Sequence, residues 1–427
     1  MPENVTIIQN VRIFDGKNDQ LRSGYVLIQG NAIARIASDT PQIPDGATVI
    51  DGGGRVLMPG MIDTHCHPSV VDTMPNMENN LCWDDIAIRS SVIAKGYLMR
   101  GFTSIRDAGG PVFGLKRSID AGLVNGPRIY PSGAFLSQTR GHGDFRSPTD
   151  RSMRITITDN HMMRLEYSVL ADGEAQVLAA AREQLGKGAS QVKIMASGGG
   201  ASLYDPIDTV QYTLRELKAA VATAEDWGTY VFAHTHNCPA MWRAAEAGIK
   251  TFEHGFLADE ETMRMIVDKG IILSTQVSFT DPDVILSYDL VNENPVAKAK
   301  VEKVLKRIQN YINLVLKHQP IVTFTGDGSG PAKDHVAMQK NEFGTRAKVF
   351  PQVEVLRHVT SNGAKVLALS NLVNPYPGEL GAVEEGALAD LLIVDGNPLE
   401  DVLLLADPEK NLRLIMKDGK TYKNTLV

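Results

Sequence analysis

The chain of 427 residues is poor in cysteine and has no long hydrophobic run. Cys66, Cys82 and Cys238 are an odd number in a long chain, which excludes a disulfide framework. The first residues, MPENVTIIQNVRIFDGKND, lack a basic region followed by an apolar one, so no signal peptide is predicted. No run reaches the ~20 apolar residues that a membrane-spanning helix requires. We therefore expect a cytoplasmic protein without a membrane partner.

The chain also lacks an excess of positive charge. It has 43 Lys and Arg against 50 Asp and Glu, a formal net charge of −7, and its basic residues are scattered. Nucleic acid is not an expected partner, because binding to it requires a basic face that neutralises phosphates. No G-x-G-x-x-G or Walker A sequence opens any of the candidate helices, so nucleotide binding has no support.

Both ends of the chain have the pattern of short β-strands joined by turns. The first part contains VTIIQNVRIF, YVLIQGNAIARIA and ATVIDGGGRVLMPG, which are rich in β-branched residues and interrupted by Gly, Asp and Asn. The last part contains ADLLIVDGN and LRLIMKDGKTYKN, which have the same texture. Since chain termini often meet in space, residues 1–58 and 371–427 are predicted to form one small β-sandwich domain.

The middle of the chain, residues 59–370, alternates short apolar runs with helix-like segments such as EAQVLAAAREQLGKG and TLRELKAAVATAEDWG. This alternation predicts an α/β domain, either a (β/α)8 TIM-like barrel or an open doubly wound sheet. The missing nucleotide motifs favour the barrel. The eight candidate strands are 61–65, 103–107, 128–132, 191–195, 230–234, 250–254, 271–275 and 321–325.

Residues capable of binding a metal stand where several of these strands end. The first strand runs into His65 and His67, whose i, i+2 spacing places both imidazoles on one side. Later strands end at His234, at His254 and just before Asp327. A lone histidine at such a place is more often structural, but the C-terminal strand ends of a barrel form one face, so these five residues would converge. Imidazole with carboxylate suits Zn²⁺, Mn²⁺ or Co²⁺.

Lys193 is an unusual residue within the apolar strand QVKIM. Burial disfavours its charged form, so it either reaches solvent or a carboxylate, or it loses its charge. In the second case the neutral amine can add carbon dioxide and become a carbamate, whose two oxygens are enough to bridge two cations. The glycines 198–200 that follow would allow a close approach of the backbone to the site.

These motifs together resemble the amidohydrolase superfamily with a binuclear metal centre. The resemblance rests on H-x-H after MPGMID, the strand-four lysine, AHTH, EHG, the TGDG aspartate and the ending ADLLIVDGNPL, and it covers essentially the whole chain. VKIMASGG and the GHGD loop at 141–144 are most similar to the Xaa-Pro dipeptidase-like carboxypeptidase branch, which includes the ochratoxin-degrading amidohydrolases, and the bacterial ones in particular.

The resemblance implies two divalent ions, with zinc as the expected metal. His65, His67 and Asp327 would hold the more buried ion, and His234 and His254 the other. Carboxylated Lys193 (N6-carboxylysine) and a hydroxide would bridge them. Two cations lower the pKa of the shared water toward neutrality, and Asp327 would carry the proton to the leaving amine.

Two further histidines are candidate substrate contacts. His142 lies in the GHGD loop, and His236 shares the side of the strand end on which His234 lies. In the resembling branch these places hold groups that contact the substrate carbonyl or carboxylate, and an imidazole can donate to a developing oxyanion. Alternatively, each histidine forms a hydrogen bond to a metal ligand.

The predicted function is hydrolysis of an amide bond with release of an amino acid that carries a free carboxylate and an apolar or aromatic side chain. The resemblance points to ochratoxin A, which would yield ochratoxin alpha and L-phenylalanine. The loops 68–83 and 275–289 could supply an apolar pocket. Hydrolysis of a cyclic amide or lactone is an alternative, and a non-catalytic barrel scaffold is another. By analogy with relatives we expect a homo-oligomer, possibly an octamer.

Overall fold

A computed structural model describes residues 5–39, 42–147, 149–150, 160–200, 202, 204–292, 295–308 and 310–426. The strands of this described part are β1 (Val5–Ile13), β2 (Arg22–Gln29), β3 (Ala32–Ala37), β4 (Thr48–Pro59), β5 (Met61–Cys66), β6 (Phe102–Asp107), β7 (Arg128–Tyr130), β8 (Phe135–Ser137), β9 (Ser168–Leu170), β10 (Val192–Met195), β11 (Val231–Asn237), β12 (Thr251–Leu257), β13 (Ile272–Ser274), β14 (Val322–Thr323), β15 (Leu391–Val394), β16 (Leu412–Lys417) and β17 (Lys420–Asn424).

The helices of the same part are α1 (Met74–Asn80), α2 (Trp83–Met99), α3 (Phe113–Asp120), α4 (His161–Arg164), α5 (Glu174–Gly186), α6 (Leu214–Asp226), α7 (Cys238–Ala247), α8 (Glu260–Asp268), α9 (Pro282–Ile285), α10 (Asp289–Asn292), α11 (Pro295–Ile308), α12 (Tyr311–His318), α13 (Ala332–Val349), α14 (Gln352–Val359), α15 (Ser361–Ala368) and α16 (Pro408–Asn411). Short 3₁₀ turns lie at Val277–Thr280, Asn371–Val373 and Val402–Ala406. None of these helices is both long and apolar enough to cross a membrane.

Strands from the two ends of the chain share one seven-stranded sheet, in the order β17-β16-β15-β4-β1-β2-β3. Strand β4 links the two parts, because it pairs in parallel with β1 and antiparallel with β15. Apolar residues of both parts, among them Val26, Leu57, Ile393 and Leu414, form one buried cluster. The small β-sandwich-type domain built from both termini is thereby confirmed, while its division from the barrel at residues 58 and 371 stays a prediction.

The central segment closes into the predicted barrel, and all eight candidate strands are present. Parallel pairs join β5, β6 and β7, and a second parallel set runs from β10 to β14. The ring closes between β14 and β5, where the Thr64 amide donates to the Phe324 carbonyl at 3.1 Å. The alternating pattern therefore predicts the (β/α)8 architecture correctly.

The third barrel strand is interrupted, which the sequence pattern did not indicate. The candidate strand 128–132 corresponds to β7, which pairs with β6. After the interruption the chain forms β8, which pairs with β10. Pro131 has no amide proton to donate and Gly133 has a φ of +69°, so the backbone between the two pieces cannot continue a regular ladder. Strand β9, only three residues long, pairs with β8.

Helices α5 and α6 begin and end near the residues that the sequence indicated. Helix α6 starts with a capping box, in which the Thr213 side chain accepts from the Glu216 amide and the Glu216 carboxylate accepts from the Thr213 amide. Both helices bury alanine and leucine residues against the barrel core. Reciprocal capping satisfies two amides that would otherwise lack partners at the start of the helix.

A buried ion pair connects the barrel to the small domain. Arg128, in β7, donates to both carboxylate oxygens of Asp390 at 2.8 and 2.7 Å and to Asp418 at 2.7 Å. Arg128 and Asp390 have only 4% and 3% of their side chains exposed, so neither charge can be compensated by water. This contact adds to the apolar packing between the two domains, in which Leu392 and Leu412 belong to the same buried cluster as Phe102 of the barrel.

Replacement of Arg128 by Ala is expected to lower the free energy of unfolding by about 3–5 kcal/mol, because the Asp390 carboxylate would stay buried without its cationic partner. The measurement is the urea midpoint of unfolding, followed by circular dichroism. Arg35→Ala is the control, since Arg35 pairs with Asp39 at 3.4 Å on the surface of the small domain and such pairs contribute at most about 1 kcal/mol. Equal midpoints for the two variants would contradict the expectation.

Candidate metal centre

The predicted metal-binding residues meet at the C-terminal ends of the barrel strands. His65 is in β5 and His67 follows it, Lys193 is in β10, His234 and His236 are in β11, His254 is in β12, and Asp327 follows β14. Parallel strands of a barrel end on one face, so residues far apart in sequence converge there. The structure thus brings together all the residues that were predicted for the centre.

The histidine rings form a continuous cluster. The ring centroids of His65 and His254 are 5.1 Å apart, those of His234 and His254 are 4.6 Å apart, and those of His65 and His67 are 5.3 Å apart. His236 stacks on His254 at 5.0 Å. Four of these rings are less than a tenth exposed, and the fifth, that of His67, has 16% of its side chain exposed.

In three of the histidines, the Nδ1 atom forms a hydrogen bond to an acceptor. The partners are Glu253 Oε2 for His65 at 2.5 Å, the Gly109 carbonyl for His67 at 3.0 Å and Gln276 Oε1 for His254 at 2.8 Å. Burial also lowers the pKa of each ring, to about 4 for His67. A neutral imidazole whose proton lies on Nδ1 presents the lone pair of Nε2, which is the form that binds metal.

The Glu253 carboxylate that binds His65 is part of a buried network of charged side chains. Glu253 accepts from Arg106 Nη2 at 2.7 Å, and both side chains are fully buried. Arg106 also donates to the Thr64 carbonyl at 2.5 Å. Sequence reasoning missed both residues, although each is a charged residue inside an apolar strand, TSIRD or TFEHG. Like Lys193, Arg106 and Glu253 are charged side chains that burial in an apolar strand disfavours unless they are paired.

Asp327 faces both histidines of the first strand. Its Oδ1 atom is 3.3 Å from His65 Nε2 and 3.6 Å from His67 Nε2. Burial raises the pKa of Asp327 to about 7 despite the opposing charge of Lys193. Asp327 and His254 have φ values of +51° and +68°, a conformation that non-glycine residues adopt rarely and that is concentrated at functional sites.

Lys193 is buried, so the interpretation in which it reaches solvent is wrong. Its side chain is about 1% exposed and its Nζ atom lies 4.9 Å from the centre of the Phe232 ring. Burial lowers the pKa of Lys193 to about 8, although Glu253 and Asp327 oppose this shift. The neutral amine, which is the form that reacts with carbon dioxide, is therefore more accessible near neutral pH than in an exposed lysine.

The two candidate substrate contacts also lie at this cluster. His142, in the loop after β8, stacks on His234 with ring centroids 4.1 Å apart. The Nδ1 atom of His236 is buried and has no hydrogen-bond partner among the described residues. Burial lowers the pKa of His236 to about 3, so this ring is neutral. A buried polar atom without a partner is expected where a ligand completes the site.

Among the described residues of this barrel face, two groups of side chains offer donor atoms that lie within 4.8 Å of one another. One group is His65, His254 and Asp327, and the other is His234, His236 and His254. Neutral imidazoles with a carboxylate are a donor set that suits a divalent ion such as zinc. The residues present therefore fit a metal ion, and the second group places His236 beside the predicted ligands.

A parallel barrel with such a cluster at its C-terminal face is the arrangement typical of metal-dependent hydrolases. The profile of the family described as "Amidohydrolase family" matches residues 56–422. The chain is 31% identical to ochratoxinase of Aspergillus niger over 432 residues, 98% of this chain and 87% of that protein.

Solved structures are similar over the whole chain. A crystal structure of a prolidase complexed with N-methylphosphonate-L-proline is 34% identical, with a TM-score of 0.89, and covers 99% of this chain and 100% of that one. The crystal structure of A. niger ochratoxinase is 26% identical, with a TM-score of 0.84, and covers 99% and 96%. A Xaa-Pro dipeptidase with bound methionine is 26% identical, with a TM-score of 0.83, and covers 99% and 100%.

The chain therefore belongs to the amidohydrolase family, and it is an enzyme that hydrolyses amide or peptide bonds. This confirms the predicted family and its Xaa-Pro dipeptidase-like and ochratoxinase-like relatives. The alternative of a non-catalytic scaffold is wrong. Small amide or dipeptide molecules are the substrates that this class of hydrolase accepts, and the family generally uses divalent metal ions.

Replacement of Glu253 by Gln is expected to weaken metal binding about 10–100-fold, because the carboxylate that orients His65 is lost. The measurement is competition of the purified protein with a chromophoric chelator, in which the metal is titrated directly. Glu246→Gln is the control, since Glu246 is exposed on α7. An unchanged dissociation constant in a folded Glu253→Gln protein would show that Glu253 does not support the centre.

Proposed function

We propose that the enzyme is a carboxypeptidase-like amidohydrolase that releases an amino acid with a free carboxylate and an apolar or aromatic side chain. Its substrates include ochratoxin A, which it divides into ochratoxin alpha and L-phenylalanine. The observation that carries the proposal is the convergence of neutral histidines, Lys193 and Asp327 at one barrel face. The likeness to ochratoxinase and to Xaa-Pro dipeptidases supports the choice of substrate class.

Aromatic side chains next to the histidine cluster favour a substrate that carries an apolar side chain. The Phe256 ring lies 5.5 Å from that of His236, and Phe279 lies 6.2 Å beyond Phe256. Tyr288 continues the row at 5.9 Å from Phe279. Phe279 and Tyr288 belong to the segment 275–289 that the sequence suggested as a pocket wall. Rings in this position would pack against an aromatic side chain of the substrate.

The proposed centre is binuclear, with two divalent ions, zinc in the first place. His65, His67 and Asp327 would hold one ion, and His234 and His254 the other. Lys193 would bridge them as N6-carboxylysine, formed when its neutral amine adds carbon dioxide and releases a proton. The ions supply Lewis acidity and lower the pKa of a shared water.

The remaining steps belong to side chains of the chain itself. Asp327 would accept the proton of the attacking water on Oδ1 and deliver it to the leaving amine nitrogen. His236, whose Nδ1 has no partner in the part of the chain that the structure describes, would donate a hydrogen bond to the substrate carbonyl oxygen as negative charge develops there. His142 would contact the carbonyl or the carboxylate beside it.

We also propose that the enzyme is a homo-oligomer. Helix α2 exposes Trp83, Ile88 and Val92, which have 45%, 67% and 60% of their surface accessible. Ile88 and Val92 are one turn apart on the same face of the helix, and contiguous exposed apolar side chains mark interaction surfaces. The resemblance favours an octamer, and a monomer in light scattering of the purified enzyme would contradict this part of the proposal.

A panel of substrates tests the proposed reaction. N-acetyl-L-phenylalanine, Xaa-Pro dipeptides and ochratoxin A are compared with hydantoins and lactones, with free amino acid and ring opening as the readouts. We expect the highest kcat/KM for open amides with a free carboxylate and a large loss when that carboxylate is amidated. Faster turnover of the ring-closed compounds would instead establish the cyclic amide or lactone hydrolase.

Replacement of Lys193 by Ala is expected to remove most of the bound metal and most of the activity, because the bridging group is lost. Added acetate or propionate should restore part of the activity by supplying a carboxylate in the same place. Elemental analysis and kcat are the measurements, and Lys187→Ala, at a partly exposed ion pair with Glu166, is the control. Full metal content in Lys193→Ala would contradict the bridging role.

A further inference from the structure

His142 lies between the histidine cluster and the backbone of a loop. One face of its ring stacks on His234, with the ring planes 19° apart. Its other neighbour is Gly199, where an added Cβ atom would lie only 1.9 Å from His142 Cε1. The Gly199 peptide therefore lies directly against the imidazole, and no side chain fits between them.

The loop that carries Gly199 also holds the Nδ1 atom of His142. This loop follows β10, and we refer to its described residues 196–200, 202 and 204–209 as the β10 loop. Asp205 Oδ2 and Ser202 Oγ are each 3.1 Å from His142 Nδ1, and Asp205 Oδ2 also accepts from the Gly199 amide at 2.9 Å. One carboxylate oxygen therefore fixes both the ring and the peptide beneath it.

The ammonium group of Lys300 binds the β10 loop from a different part of the chain. It donates to the carbonyl oxygens of Gly199 at 3.2 Å, Ser202 at 2.6 Å and Asp205 at 2.5 Å. Lys300 is in α11, within the long connection between β13 and β14. A single cation surrounded by several carbonyl oxygens fixes the path of a loop that has no regular secondary structure of its own.

The Asp205 carboxylate lies between Lys300 and His142. Lys300 Nζ is 3.8 Å from Asp205 Oδ1, and His142 meets the other oxygen of the same carboxylate. Burial by itself raises the pKa of Asp205, but His142, Ser202 and Lys300 together lower it to about 2. Asp205 is therefore a carboxylate near neutral pH, and because it is only 3% exposed it depends on the Lys300 ammonium group and on its hydrogen bonds for compensation of its charge.

We propose that Lys300 is a positioning residue for the hydrolytic reaction. It fixes Asp205 and the Gly199 peptide, and these two groups in turn hold His142 against the histidine cluster. This inference rests on the proposed role of His142 as a substrate contact. The hydrogen bonds of Lys300 go to the β10 loop, so its proposed effect on the reaction passes through the ring of His142.

The test compares Lys300→Met, Lys300→Arg, His142→Ala and the double variant Lys300→Met/His142→Ala. The probe is whichever compound of the substrate panel has the highest kcat/KM for the unaltered enzyme. We expect Lys300→Met to lower kcat/KM by up to about 100-fold, the loss typical of a misplaced catalytic contact. Its metal content should equal that of the unaltered enzyme, and Lys300→Arg should recover most of the loss.

The double variant separates positioning from general stability. If Lys300 acts through His142, the double variant loses no more activity than His142→Ala alone, because the two residues serve one contact. Gly199→Ala is an independent test, because the added methyl group displaces the His142 ring while Lys300 is retained. The kcat/KM of this variant should fall as that of Lys300→Met does. Lys303→Met is the matched control, because Lys303 contacts Asp208 of the same loop through an exposed ion pair.

Several outcomes would overturn the inference. These are activity of Lys300→Met within twofold of the unaltered enzyme, losses that multiply in the double variant, or loss of metal from Lys300→Met. Full activity of His142→Ala would overturn the proposed role of His142 together with this inference. A large loss in His142→Ala beside an unaffected Lys300→Met would overturn the inference alone and leave the proposed function in place.

Discussion

The closure of the barrel between β14 and β5 is the constraint on which the site depends. Beyond the short strand β14, the Asp327 amide donates to the His65 carbonyl, and the His67 amide donates to the Gly328 carbonyl, both at 2.9 Å. These bonds continue the ladder past the regular strand and place the Asp327 carboxylate beside both imidazoles. The positive φ of Asp327 is maintained by this ladder, because the backbone on either side of it is already paired.

Buried ion pairs keep the interior of the barrel compatible with a cluster of neutral histidines. Arg106 neutralises Glu253, and Arg346 donates to Glu342 at 2.6 Å, with all four side chains fully buried. Glu342 also accepts the amides of Val277 and Ser278, which directly follow Gln276, the partner of His254. The two pairs therefore orient His65 and the segment next to His254, and a bound cation would add its charge to an interior that is already balanced.

The sequence was sufficient to predict the eight barrel strands and the convergence of the histidines with Lys193 and Asp327, because both depend on local patterns. Apolar runs indicate strands, and a histidine or aspartate at the end of a run indicates the catalytic face. The break at Pro131 and the three-residue strand β9 were missed, since such short segments have no readable alternation. Asp205 and Lys300 were missed for a different reason. Their importance comes from contacts between loops of separate strand–helix units, and spacing along the chain carries no information about such contacts.

The shared sheet of the two termini determines the order in which the molecule can be completed during synthesis. Strand β4 leaves the ribosome early, but its neighbour β15 is made only after the whole barrel, and Leu391 then pairs with Pro59. Until that moment one edge of the N-terminal strands is uncovered, with open amides and carbonyls next to apolar residues. The nascent chain is therefore exposed to aggregation while the barrel is being made, and the pairing of β15 with β4 ends this period.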